Sequence, residues 1–186
     1  MALEQAFLEL RDRQRRLHES LESLRLAVAE DKPLQPEIAL VDQRCAVVDD
    51  LLGWAAEACS AGDEGLAASR RPVDLDTARA ALIKSQETFN SLSHSFGEDL
   101  LSYEAMAELT GIAVERGRNW HAWVTAVKSA LQHCQQPIYE VNQALFSCWR
   151  ELAERAGMNS VNVKNTAIGQ KITMTPKKRI GSKGRI

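Results

Sequence analysis

The chain has 186 residues, of which 45% are hydrophobic and 26% charged, and its formal net charge at pH 7 is −2. This length and composition are sufficient for one domain with a real core. No run of about 18 uncharged apolar residues occurs, and the first ten residues lack a basic stretch followed by an apolar one, so neither a membrane-spanning helix nor a secretory signal is expected.

The small net charge is the sum of two unlike parts. From Gly157 to the C-terminus there are seven basic residues and no acidic one, which leaves a net charge of −9 on residues 1–156. The sequence therefore predicts a helical bundle over 1–156 and a flexible basic tail over 157–186. The cysteines form no C-x-x-C pair, which favours reduced thiols and a cytoplasmic location.

The first predicted helix, from about Leu3 to Glu30, carries one narrow stripe whose members are separated alternately by four and three residues. The stripe consists of Leu3, Phe7, Leu10, Gln14, Leu17, Leu21, Leu24 and Val28. Such a heptad seam predicts packing against another helix, and its narrowness makes this helix the first candidate for self-association into a homo-oligomer. The polar Gln14 either fixes the register of packing or lies near a bundle end and reaches water.

Two further helices are predicted in the middle of the chain. The second runs from Pro36 to about Ala61, and the glycines and proline of residues 62–72 predict a surface loop after it. The third begins near Asp74, which can cap its N-terminus. Small residues near Ser95–Gly97 weaken the pattern, which allows either one long kinked helix or two helices in tandem.

The fourth helix starts near Trp120, and its seam crosses Pro137 without losing phase. An interior proline removes a backbone hydrogen bond and kinks a helix, so one kinked helix is predicted, ending near Gly157. The predicted fold is all-α. It is an elongated antiparallel four-helix bundle of up-down-up-down order, with long kinked third and fourth helices and a basic C-terminal tail.

The tail combines basic residues with spaced isoleucines and lacks aromatic side chains. The residues predicted to bind a partner are Ile168, Lys171, Ile172, Lys177, Lys178, Arg179, Ile180, Lys183 and Arg185. Basic tails contact phosphates of nucleic acids or anionic lipids, whereas spaced isoleucines suit a peptide that adds to a partner's sheet or groove. Outside the tail, Trp149 is interpreted either as an interface anchor or as part of a broad core face.

No catalytic residue, metal site or cofactor is predicted. Phosphate-binding glycine motifs are absent, and no histidine follows a glutamate by three positions. Cys45 and Cys59 are fourteen residues apart, as are Cys134 and Cys148. Across an antiparallel bundle, Cys45 could approach Cys148 and Cys59 could approach Cys134 to form two thiol layers, or all four could act as small hydrophobic core residues.

The preferred functional interpretation is a non-enzymatic adaptor, scaffold or regulatory subunit that binds a protein partner within a larger complex, with the tail as docking segment. The alternative is a nucleic-acid-associated accessory protein whose tail contacts phosphates. The acidic body disfavours this alternative, because it repels the same polyanion. A third hypothesis is a redox- or metal-responsive bundle that uses the thiol layers.

Overall fold

The computed structural model describes residues 2–29, 38–166 and 169–176, and its body is helical, as predicted. The elements are α1 (Leu3–Ala29), α2 (Ile38–Ser69), α3 (Leu75–Ser95), a π-helical turn (Phe96–Leu100), α4 (Tyr103–Arg116), α5 (Arg118–Arg155), β1 (Met158–Thr166) and β2 (Gly169–Pro176). Among the described residues, no helix combines the length and apolar character that crossing a bilayer requires.

The helix α1 lies at the centre of the packing. It packs against both α2 and α5, and α2 also packs against α3. No residue of the predicted α1 seam is more than 2% exposed. The expectation that this seam drives self-association is therefore wrong, because the chain's own helices cover it.

Contacts between side chains fix the directions of these neighbours. Arg25 of α1 pairs with Asp49 of α2 at 2.6 Å, and Arg11 pairs with Asp63, so α1 and α2 run antiparallel. Between α1 and α5, Arg13 pairs with Glu140 at 2.9 Å, and the Trp123 indole donates to the Val28 carbonyl at 3.2 Å. These contacts make α5 antiparallel to α1 as well, and the indole satisfies a carbonyl at the end of α1.

The structure corrects the loop predicted over 62–72, because α2 continues to Ser69. Gly62 and Gly65 are buried within this helix, where a methyl group on Gly62 would overlap the Gln14 amide and one on Gly65 would overlap the Phe7 ring. These two glycines therefore allow a close approach between α1 and α2 and do not form a turn.

The turn that follows α2 is short. The Asp74 carboxylate accepts a hydrogen bond from the Thr77 backbone N–H at 3.0 Å, which confirms Asp74 as the N-cap of α3.

The third predicted helix is two helices. The chain leaves α3 through the π-helical turn, in which the Leu101 N–H donates to the Phe96 carbonyl at 3.2 Å, and the Ser102 hydroxyl then caps α4. Arg44 of α2 is 4% exposed and donates to the Glu108 carboxylate at 2.9 Å and to the Ala105 carbonyl at 3.2 Å. This buried guanidinium holds the start of α4 against α2.

The predicted fourth helix is confirmed as the single helix α5, which contains Pro137. It ends at Arg155, and Gly157 has a φ of +70°, a left-handed conformation that favours glycine after a helix.

The segment after α5 differs from the flexible tail of the prediction. The backbone of β1 and β2 forms an antiparallel hairpin whose register pairs Val161 with Met174 and Val163 with Ile172. Alternating β-branched residues are typical of strands. Spacing of this kind fits an extended segment bound to a partner and fits the hairpin equally well.

The close approach between α1 and α2 predicts opposite effects for two glycines of the same helix. Gly65→Ala is expected to lower the free energy of unfolding by about 1–3 kcal/mol, because the fully buried Phe7 ring cannot move aside. Gly53→Ala, with no heavy atom within 4 Å of the added methyl group, is expected to raise it by about 0.5–1 kcal/mol. Urea unfolding followed by circular dichroism measures both, and equal shifts would contradict the close approach.

Candidate protein-binding surface on α5

The middle of α5 is almost free of charged residues. Between positions 119 and 149 the sequence contains two formal charges, Lys128 and Glu140. Both are half-buried and engaged, since the Lys128 ammonium donates to the Thr110 hydroxyl at 2.8 Å and Glu140 accepts from Arg13 at 2.9 Å. The exposed residues along this stretch therefore carry no formal charge, and the two charged residues are half-buried beside them.

The exposed residues of this stretch contain a second heptad seam. It consists of Ala122, Thr125, Ser129, Gln132, Gln136, Tyr139, Gln143 and Phe146, which are all exposed. Successive members are separated alternately by three and four residues, the spacing that keeps one stripe on one side of a helix. We call these eight residues the outward seam, and two of them are large, with Tyr139 58% and Phe146 41% exposed.

The exposed side of α1 shows that uncharged surfaces are not general in this chain. The 27 residues of α1 carry ten formal charges, several of them in surface ion pairs such as Arg16 with Asp12 at 2.9 Å. Charged residues are depleted at the centres of protein–protein interfaces, where burying an unpaired charge is costly. The outward seam has this composition.

A groove runs beside the outward seam, between α3 and α5. The two helices pack only sparsely against each other, and a groove of about 470 Å³ lies between them. Its lining includes the apolar Phe89 and Ile138, the polar Asn142 and Tyr139, and the carboxylate-bearing Glu98. A pocket with apolar walls and a few polar groups is suited to binding a partner's side chains.

A second groove lies on the other side of α5, against α1. It has a volume of about 430 Å³ and is lined by Ser20, Ser23, Ala126, Ser129, Ala130 and His133. The small side chains give it a shallow, uncharged wall. The outward seam is thus flanked by a groove on each side.

Of the tail residues predicted from the sequence as partner-binding, two belong to the part of the chain that the structure describes. Lys171 and Ile172 lie on β2, where the register pairs them with Lys164 and Val163. The other tail residues, Ile168 and the set from Lys177 to Arg185, lie outside the described residues.

The structure corrects the interpretation of Trp149 as an interface anchor. This side chain is 5% exposed and belongs to the core cluster, so it offers almost no surface to a partner. The alternative interpretation, a broad buried face of the last helix, agrees with its position.

None of the four cysteines is in a disulfide, and they do not form the predicted pairs of layers. The helices α2 and α5, which carry them, are not among the extensively packed pairs, and the Cys134 thiol lies 3.4 Å from the Ser20 carbonyl of α1. Burial raises the pKa of the Cys134 thiol to about 12. Within the described residues, no three His, Cys, Asp or Glu side chains are grouped to hold a metal ion.

Comparisons of the chain with protein-family models, with curated proteins and with solved structures found no match.

The burial of Cys134 predicts a specific loss of stability at alkaline pH. The unfolded thiol ionises near pH 9, whereas the folded thiol stays protonated until about pH 12. The contribution of this thiol to the free energy of unfolding is therefore fully present below pH 9 and decreases as the pH rises towards 12. Urea unfolding at pH 8 and at pH 10 measures this effect. Between the two pH values, the free energy of unfolding should fall by about 1 kcal/mol more for the wild type than for Cys134→Ala. The same loss in both proteins would contradict this.

Proposed function

We propose that the protein is a non-enzymatic adaptor or regulatory subunit that binds a protein partner. In this proposal α1, α2, α3 and α5 form the antiparallel up-down-up-down bundle predicted from the sequence, and α5 presents the binding surface. The observation that carries the proposal is the outward seam, an uncharged heptad stripe on the solvent side of the longest helix.

The composition of the outward seam supports binding because folding of the single chain does not require it. Positions on the solvent side of a helix can hold any charged residue at little cost. Here they instead hold Tyr139, Phe146 and three glutamines. Exposed aromatic residues are among the commonest contributors to binding energy in interfaces.

The non-enzymatic part of the proposal is supported by the separation of the reactive groups. His94 lies by the groove between α3 and α5, and His133 lines the groove between α1 and α5. Neither groove is lined by a cysteine. A nucleophile and a base must lie within hydrogen-bond distance of each other to cooperate. Ser20 and Ser23 line the same groove as His133, but their hydroxyls donate to the backbone carbonyls of Arg16 and Glu19 at 2.9 and 3.1 Å.

The tail is proposed as a second docking segment, through its seven basic residues and its isoleucines. Such a segment can add to a partner's sheet or groove. If its charges instead contacted nucleic-acid phosphates, the affinity would fall steeply between low and moderate salt.

Affinity purification from the native source tests the proposal. Tyr139→Glu and Phe146→Glu are expected to reduce recovery of the partner about tenfold each, because each places a charge in the interface. Tyr103→Glu is the matched control, since Tyr103 is 84% exposed on α4 and lies outside the outward seam.

Deletion of residues 177–186 is expected to weaken recovery separately. If both seam variants and the deletion retain the same partners at the same strength as the wild type, the proposed function is wrong. Recovery of nucleic acid that is lost on raising the salt concentration would support the alternative function for the tail.

A further inference from the structure

We propose that a second copy of this chain binds the outward seam, packed antiparallel against it about a two-fold axis. This inference rests on the proposed function, because it names the partner of the same surface. Two properties of the seam carry it: the distribution of its side-chain sizes and its lack of charge.

The spacing of the outward seam is symmetric about the level of Cys134. An antiparallel copy centred there pairs every member of the seam with another member. The four pairs are Ala122 with Phe146, Thr125 with Gln143, Ser129 with Tyr139, and Gln132 with Gln136. In a two-fold symmetric interface each pair occurs twice, since the same surface is used by both copies.

The sizes of the paired side chains are complementary. The N-terminal half of the seam holds Ala122, Thr125 and Ser129, whereas the C-terminal half holds Tyr139, Gln143 and Phe146. Antiparallel packing places each large side chain opposite a small one, as knobs-into-holes packing requires. Parallel packing would place Phe146 against Phe146 and Ala122 against Ala122, and the two small alanine side chains would not touch.

The two residues at the centre of the seam can hydrogen-bond to each other across the two-fold axis. Gln132 and Gln136 lie one helical turn apart and are both exposed. A carboxamide both donates and accepts hydrogen bonds, so Gln132 of one copy and Gln136 of the other satisfy each other on each side of the axis.

Electrostatics favours this face for self-association over the other faces. Residues 1–156 carry a net charge of −9, so two bodies repel each other at long range. Association through α1 would bring its charged side chains together, whereas the outward seam buries no formal charge. In the whole chain the seven basic tail residues reduce the net charge to −2, so the overall repulsion between two copies is small.

The size of the seam implies a weak dimer. From Ala122 to Phe146 the helix is about 36 Å long and about 10–12 Å wide, so each copy buries on the order of 400 Å². A total near 800 Å² lies below the roughly 1,200–2,000 Å² of stable specific interfaces and in the range of weak, transient ones. The dimer should therefore form at high protein concentration and carry its two C-terminal tails at opposite ends.

Sedimentation velocity under reducing conditions tests the proposal on the full-length chain, over concentrations from low micromolar to several hundred micromolar. The wild type is expected to shift from 20.6 kDa towards twice that mass as its concentration rises. Ser129→Lys and Tyr139→Glu should each remain monomeric, and Tyr103→Glu should behave as the wild type.

Mixing the two single variants tests the register. In an equimolar mixture, the lysine at position 129 of one copy faces the glutamate at position 139 of the other, so association should return in the mixture alone. Circular dichroism and thermal unfolding confirm that each variant is folded. A wild type that stays monomeric at all concentrations, or a mixture that stays monomeric, overturns the proposal.

The two proposals fail separately. If the wild type is monomeric but Tyr139→Glu still loses its partner, the outward seam binds a different protein and the second copy is excluded. If the wild type forms the dimer but the seam variants and the deletion retain every partner, the dimer is correct and the adaptor function is wrong.

Discussion

The burial of the α1 seam is the constraint on which the rest of the structure depends. A helix with one apolar stripe cannot be stable alone in water, so it must be covered by neighbours. Here α2 and α5 cover it from two sides, and no seam residue is more than 2% exposed. One side of α5 therefore packs against α1, and its other side faces solvent. The helix α3 packs on α2 and has only sparse contact with α5.

A buried polar contact joins three helices at one level of this core. The Gln14 amide donates to the Ser85 hydroxyl at 3.3 Å, and that hydroxyl donates to the Ala58 carbonyl at 3.3 Å. Gln14 is 2% exposed, which excludes the alternative that it reaches water. A shift of α1 by one turn would leave the Gln14 amide against apolar groups. Because the loss of free energy on leaving a buried amide unpaired exceeds the gain from one hydrogen bond, this contact favours a single register of α1.

Several features of the fold could be predicted from the sequence because they depend on local pattern. The α1 seam and the Asp74 cap are of this kind. The extension of α2 could not be predicted, since a glycine indicates a turn or a close approach equally well, and only the position of Phe7 on a different helix distinguishes the two at Gly65. Arg44 was missed for a related reason, because a buried arginine is identified by its partners and not by its neighbours in sequence.

The outward seam could not be recognised as a heptad seam from the sequence, because such seams are identified by apolar residues and this stripe is mainly Ala, Thr, Ser and Gln. The signal available in the sequence was the scarcity of charged residues: positions 119–149 contain two formal charges in 31 residues, in a chain that is 26% charged. Folding of one chain explains the buried side of α5, where Val127, Leu131 and Leu145 are at most 1% exposed. It does not explain why the opposite side lacks charge, since the solvent side of α1 shows that this protein keeps helices soluble with Arg, Asp and Glu. The proposed contact with another helix would account for a stripe that is uncharged and unnecessary for the monomer.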